Sequence, residues 1–202
     1  MSGSLGIDPG LTSGAAVLLG EDGLLDWTDP CWYTWQQLHR KKGTVWRVRN
    51  AKGEWTANSP FTALRIGRNR THMTMAIPDV LAVELIFAQS RPQMGLVALA
   101  EAAGAAVQLY WGAPKVIRPS AASWRKHVLC IPGNTKAKEA DRAARAHIIR
   151  TCGGLPRKRY GEREERLTSV EVGALVDATC IAMYALDGLH SDSACSTERG
   201  AR

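Results

Sequence analysis

Three carboxylates stand where carboxylates are costly. Asp8 lies within LGIDPGLTSGAAVLL (Leu5 to Leu19), Glu84 within VLAVELIF (Val80 to Phe87), and Asp177 within GALVDATCIA. An ionised carboxylate among apolar residues must be answered by hydrogen bonds, a countercharge or a metal ion. Hard oxygen donors of this kind suit Mg²⁺ or Mn²⁺. Two such ions about 3.5–4 Å apart are the recurrent device for in-line attack on a phosphodiester, one activating a water and the other stabilising the leaving 3′ oxygen. For Asp8 the plainer alternative is an aspartate that caps the turn ahead of Pro9-Gly10. Its value depends on whether the other two acids arrive at the same place.

A fourth acid, Glu171, reads differently. Thr168-Ser169-Val170-Glu171 matches a capping box, in which the glutamate bonds back to the amide of the first residue. Six residues separate it from Asp177, placing the two about 120° apart and roughly 9 Å along a helix. Glu171 is therefore read first as a cap and second as a metal ligand.

The elements that must position these residues follow from periodicity. Leu5 to Leu19 reads as a hairpin turning at Gly10 to Gly14, and Leu24 to Trp27 as the start of a third strand. Thr34 to Arg40 reads as a short helix. Val45, Arg47 and Arg49 alternate with Trp46 and Val48, and with a turn at Asn50 to Gly53 and a return at Glu54 to Thr56 they make a basic hairpin. Ser59-Pro60 starts a helix expected to reach about Met75. The run Val80 to Phe87 reads as a strand covered on both faces. Pro92 to Leu109 reads as a helix apolar nearly all round. Val116 to Arg118 is a short strand. Helices are expected at Ser120 to Val128, Lys136 to Thr151 and Ser169 to Leu186, with a charged loop at Arg157 to Arg166. The expected fold is α/β, a mixed five-stranded sheet with helices on both faces. One domain spans 1–188, with a basic, Trp-rich insertion at about 31–77, and the tail 189–202 is expected to be disordered.

Charge points to the partner. Between Cys31 and Pro78 there are nine basic residues and one acid, Glu54, a local balance of +8 in a chain of net charge +7. Such a patch suits a polyanion. Trp32, Tyr33, Trp35, Trp46 and Trp55 are interleaved with it, and stacking on bases beside paired phosphates suits nucleic acid. The plainer alternative is a solvated charged face above ordinary core tryptophans. No uninterrupted apolar run reaches the roughly 18–20 residues that span a membrane, and no secretory leader is expected. The five scattered cysteines form no CxxC pair, against a disulfide framework or zinc site.

GIDPGLTSGAAVL, AVELIF, PSAASWRKHVLCIPGNTKAKEADR and VDATCIAMYAL together resemble the signature blocks of RuvC-type Holliday-junction resolvases, which are RNase H-like endonucleases that act as dimers. The resemblance covers most of Leu5 to Leu186, outside the basic insertion. It implies metal-dependent hydrolysis of four-way or other branched DNA junctions with two Mg²⁺ or Mn²⁺ ions. Asp8, Glu84 and Asp177 would be catalytic metal ligands, with Lys136 or Lys138 as the catalytic lysine. Phe87 would be the aromatic that wedges into the junction, unless it turns inward to the core. From the basic patch, Arg47, Arg49 and Lys52 are expected to face DNA, together with Arg125 and Lys126, and by the resemblance the helix at about 92–109 would make a homodimer. A cytoplasmic, nucleoid-associated place follows, in a bacterium or in a phage or mobile-element relative. One departure stands out: the family places a second acid or a histidine one turn before the last aspartate, and here that residue is Ala174, after Gly173. Glu171 could be recruited instead. Two rival readings remain. The sugar-kinase and chaperone ATPases open with a similar GIDxG loop but need two such lobes. A junction-binding protein that has lost catalysis would fit the missing acid.

Overall fold

The computed structural model describes residues 3–10, 13–23, 25–29, 31–40, 43–74, 77–85, 93–110, 112–155 and 167–199; at 40, 43, 74, 93–99 and 190–199 only the backbone is described. Phe87 and the charged run 157–166 lie outside these residues. The strands are β1 (Gly3–Asp8), β2 (Ser13–Gly20), β3 (Trp32–Arg40), β4 (Gly43–Asn50), β5 (Glu54–Ala57), β6 (Val80–Val83) and β7 (Lys115–Ile117). The helices are α1 (Pro60–Asn69), α2 (Gln93–Leu109), α3 (Ala121–Val128), α4 (Ala137–Cys152) and α5 (Ser169–Arg199). One seven-stranded sheet has the order β5-β4-β3-β2-β1-β6-β7. β1, β6 and β7 run parallel, and β1 through β5 form an antiparallel meander.

The α/β class and the mixed sheet are as expected, but the sheet has seven strands rather than five. The basic insertion does not stand apart from the sheet; it supplies three of its strands. Thr34 to Arg40 is strand, not helix. Trp32-Tyr33-Thr34-Trp35 has strong β propensity, and β3 finds ladder partners on both sides. Leu24 to Trp27 yields no strand among its described residues. Leu25 and Trp27 enter the core from a loop that Asp26 closes by accepting from the Thr28 amide (2.8 Å) and hydroxyl (2.7 Å).

Strand alternation divides the core in two. Leu5, Ile7, Tyr33, Trp35, Trp46, Val48, Leu81 and Val83 pack on the face covered by α1 and α2. Val17, Trp32, Val80 and Ala82 pack on the face covered by α5, with Trp124 of α3 and Ile148 of α4. Trp32, Tyr33, Trp35 and Trp46 are thus core residues, a correction to their expected place against bases. A three-strand extension needs its own apolar cover. Among these five aromatics Trp55 alone is partly exposed, with the Arg70 guanidinium 5.5 Å from its ring centre.

α1 begins as expected, with the Ser59 hydroxyl accepting from the Thr62 amide (3.2 Å) and proline in the first turn. It ends at Asn69, before the expected Met75. α5 continues past Leu186 to Arg199. Gly188 costs a helix only about 1 kcal/mol relative to alanine, and no proline follows it. Ser169–Leu189 is by length and composition apolar enough to cross a membrane, although its apolar residues are interrupted; here 61% of that window is buried as a core helix. α5 crosses the sheet closely at Gly6, where a Cβ would lie 2.1 Å from the Ala178 carbonyl oxygen. Any side chain at this position would push the helix off β1.

Candidate functional site

The parallel pair β1–β6 sets two of the acids side by side. Gly6 is level with Ala82 and Ile7 with Val83. The Glu84 amide then donates to the Ile7 carbonyl (3.1 Å), which carries the register one step beyond β6. Asp8 and Glu84 are therefore level across neighbouring strands, whose spacing is about 4.8 Å. Gly6 faces α5 and Ala82 belongs to the α5-side core, so alternation turns Asp8 and Glu84 toward α5 as well. Glu84 was expected inside a strand running to Phe87. It sits instead just past the end of β6 at Val83, half-buried, where single amide bonds from Glu84 to Ile7 and from Leu85 to Pro119 (2.8 Å) continue the pairing.

Asp177 comes to the same place from above. Its carboxyl is pushed up to about 7, first by burial and then by the negative charge of Glu84; Arg125 and Arg145 pull it down, and Asp141 adds to the rise. The charge of Glu84 therefore acts on Asp177 across the end of β6. Glu84 is oriented by the buried indole of Trp124, which donates to its Oε1 at 3.0 Å. Trp124 is held by α3, whose N-terminus is capped where Ser120 Oγ accepts from the Ser123 amide (3.0 Å).

This donor set fits a divalent cation. A buried carboxylate whose proton is held by burial and by a neighbouring negative charge is a place that a cation would neutralise. Among the described residues, no three His, Cys, Asp or Glu side chains stand close enough to hold a metal between them. The focus is the Glu84–Asp177 pair, with Asp8 level with Glu84 on the next strand.

Glu171 does not join the pair. The Thr168 amide (2.9 Å) and hydroxyl (2.8 Å) both donate to its Oε2, and its own amide donates to Thr168 Oγ1 (3.3 Å). The capping box is complete. The side chain is fully buried and also meets Arg49 Nη1 at 3.2 Å and Arg47 Nη2 at 3.7 Å. Cap and arginines thus engage the carboxylate that was expected second as a metal ligand.

The same contacts engage Arg47 and Arg49, both expected to face DNA. Both sit on the face of β4 that looks toward α5, opposite Trp46 and Val48. Arg49 pairs with Glu54 (2.9 Å) as well as Glu171, and only 8% of its side chain is exposed. Arg47 donates to Gln36 on β3. Arg47 is the more exposed of the two, at 17% of its side chain. Arg125 lies 5.1 Å over the Trp124 ring, and its charge reaches Asp177. Lys126 is exposed on α3, and Lys52 follows Asn50, whose side chain accepts from the amides of Lys52 and Gly53 in the β4–β5 turn. Lys136 stands just before α4 without a side-chain bond to its first turn, and Lys138 lies in that turn; both are exposed.

Sequence reading missed Trp124, Asp141 and Arg145. Arg145 Nε is clamped by both oxygens of Asp141 (3.0 and 2.9 Å), and its Nη2 donates to the Ser169 carbonyl (3.2 Å). A Cβ on Gly173 would meet Arg145 Nη2 at an ordinary contact distance of 3.5 Å, which places the guanidinium beside α5. Lys138, Asp141 and Arg145 fall at i, i+3 and i+7 on one face of α4. That spacing was the available signal.

No protein-family model and no curated protein matches the chain. Two solved structures are similar in overall fold. The Thermus thermophilus RuvC structure is 17% identical, covering 91% of this chain and 95% of its own, with a TM-score of 0.48. T. thermophilus RuvC in complex with a Holliday junction substrate is 14% identical, covering 92% of this chain and 94% of its own, with a TM-score of 0.47.

Proposed function

We propose that this chain is a metal-dependent endonuclease that hydrolyses phosphodiesters in branched DNA, four-way junctions foremost. The observation that carries the reading is the acidic focus: Asp8 and Glu84 level at the ends of two parallel strands, and Asp177 lifted by the charge of Glu84. Glu84 and Asp177 would hold Mg²⁺ or Mn²⁺, with Asp8, level with Glu84 on the next strand, closing on the ion as it binds. Such ions, when bound, supply positive charge at the attacking and leaving oxygens of a phosphodiester. The protein's own residues supply the rest. Trp124 fixes the orientation of Glu84. Arg125 and Arg145 bring fixed positive charge to the acids, where a phosphate would otherwise be repelled. Lys138, on the face shared with Asp141 and Arg145, is the better placed of the two candidate lysines to reach the site. The exposed Lys52, Arg65, Arg70 and Lys126 are cations available to DNA arms. Two copies, joined through α2, would present two such sites to a symmetric junction.

The deciding experiment is a nicking assay on duplex, fork and four-way junction with Mg²⁺ or Mn²⁺. Junction-selective nicking that Asp8→Asn, Glu84→Gln and Asp177→Asn each abolish, with junction binding retained, is the expected result. Nicking unaffected by these substitutions would overturn the reading. One observation favours a second reading, a junction-binding protein without catalysis: Ala174 brings no carboxylate and Glu171 is occupied by arginines. Tight junction binding with no nicking under either ion would establish it.

A further inference from the structure

The basic insertion holds the helix that carries Asp177. Glu171 lies in the first turn of α5, with none of its side chain exposed. Three donors converge on its Oε2: the Thr168 amide, the Thr168 hydroxyl and Arg49 Nη1. Arg49 comes from β4, 122 residues away in the chain, and its Nε is fixed by Glu54 of β5. Arg47, two residues earlier on the same face, is tied to Gln36 of β3 and stands 3.7 Å from Glu171 Oε1. The start of α5 is thus gripped by three successive strands of the insertion.

We propose that Arg49 and Glu171 are positioning residues: through this buried ion pair, the β3–β5 extension sets where α5 lies on the sheet and so where Asp177 meets Glu84. The inference rests on the carboxylate-site reading above. A slide of one residue along a helix is about 1.5 Å with a turn of about 100°, enough to carry Asp177 away from its partner. A buried ion pair is a poor source of net stability, since apolar residues of the same volume often do as well. It is directional, however, and an apolar contact tolerates sliding that a guanidinium–carboxylate bond does not. Hence the extension shapes the acidic site from a distance, and its buried arginines are not its DNA contacts.

The test separates a positioning role from phosphate binding. Calorimetric titration of the metal-free protein with Mn²⁺, without DNA, reads the acidic site. Junction binding in EDTA at several salt concentrations reads the DNA surface. Arg49→Met is expected to weaken Mn²⁺ binding at least tenfold at temperatures where circular dichroism shows a folded protein, with junction affinity and its salt slope unchanged. Arg49→Lys keeps the charge and should restore most of the Mn²⁺ affinity. The double variant Arg49→Met/Glu171→Met removes both buried charges, should fold if the single variant does not, and should still bind Mn²⁺ weakly. Wild-type Mn²⁺ affinity in the double variant would overturn the inference. So would Arg49→Met that binds Mn²⁺ normally but binds the junction weakly, with a salt slope flattened by about 0.9, the mark of one phosphate no longer neutralised. A wild-type protein that binds no Mn²⁺ would overturn the carboxylate-site reading itself, and this inference with it.

Discussion

Replacing Asp177 with asparagine should make the metal-free protein more stable. In the folded chain the carboxyl is carried from an ordinary 3.8 to about 7, by burial first and by Glu84 second. The unfolded chain releases this proton near pH 4, and the folded chain releases it only near pH 7. Between those values the folded state holds more protons, so stability falls as pH rises, and above about pH 7 the full cost stands. One pKa unit corresponds to about 1.4 kcal/mol, so keeping this carboxylate ionised, buried first and beside Glu84 second, costs the metal-free protein on the order of 4 kcal/mol. Asparagine keeps the shape and removes one charge. For a chain of this size each kcal/mol is about 2–4 °C in Tm. Asp177→Asn should therefore raise Tm by about 5–15 °C near pH 8 in EDTA, and by much less near pH 4.5. Mg²⁺ should raise the wild-type Tm near pH 8 and leave the variant unmoved. Differential scanning calorimetry across this pH range, with and without Mg²⁺, measures all of these. A variant no more stable than wild type near pH 8 would refute the idea that the site stores repulsion for a cation to relieve.

Other outcomes follow from neighbouring residues. Trp124→Phe keeps the packing but deletes the bond to Glu84, a hydrogen bond to a charged group worth about 1.5–3 kcal/mol; nicking should fall more than tenfold, and an unchanged rate would show that Glu84 needs no such support. Lys52→Ala/Arg65→Ala/Arg70→Ala removes exposed cations and should flatten the dependence of log K on log salt for duplex arms, by up to about 0.9 for each phosphate left without its cation. An unchanged slope would place the DNA on another surface. Phe87→Ala should leave Tm nearly unchanged and lower junction cleavage below that of Phe87→Tyr if the ring stacks on a base; a drop of about 3–5 kcal/mol in stability with normal specific activity would make it a core residue.

Much of the site was legible because burial makes a carboxylate conspicuous. Asp8, Glu84 and Asp177 each interrupt an apolar run, and such interruptions are expensive enough to mark function. The Thr168–Glu171 cap was legible for the same local reason: its donors and acceptor sit within one helical turn. What the sequence did not reveal lies in interactions between distant segments. Alternation on β4 placed Arg47 and Arg49 on one face, but nothing local says that this face looks onto α5 rather than water. The tryptophans of the insertion carried the same ambiguity, since an aromatic between two arginines serves a base or a core equally well. Thr34 to Arg40 misled because its polar residues mask a strand paired on both sides. Arg145 went unnoticed because its partner Asp141 lies one turn before it, and such pairs are ordinary on exposed helices.

The order of the strands also bears on how the molecule comes together. β1 to β5 form a meander in which each strand pairs with its predecessor, the longest connection being residues 21–31 between β2 and β3, whereas β6 must return to β1 from across the whole insertion. Local pairings form fast, and a parallel pairing that closes a long loop forms late. The meander, with Trp46 and Val48 under α1, is therefore the part expected to be structured at the folding transition state, and β6 the part that docks afterwards. The acidic pair comes into being only at that last docking, so the chain does not confront the repulsion of Glu84 with Asp177 until most of its apolar surface is already buried. Truncations at Val48 should then slow folding, while truncations at Val80 or Leu81 should mainly speed unfolding. The reverse pattern in stopped-flow kinetics would assign the nucleus to the parallel strands instead.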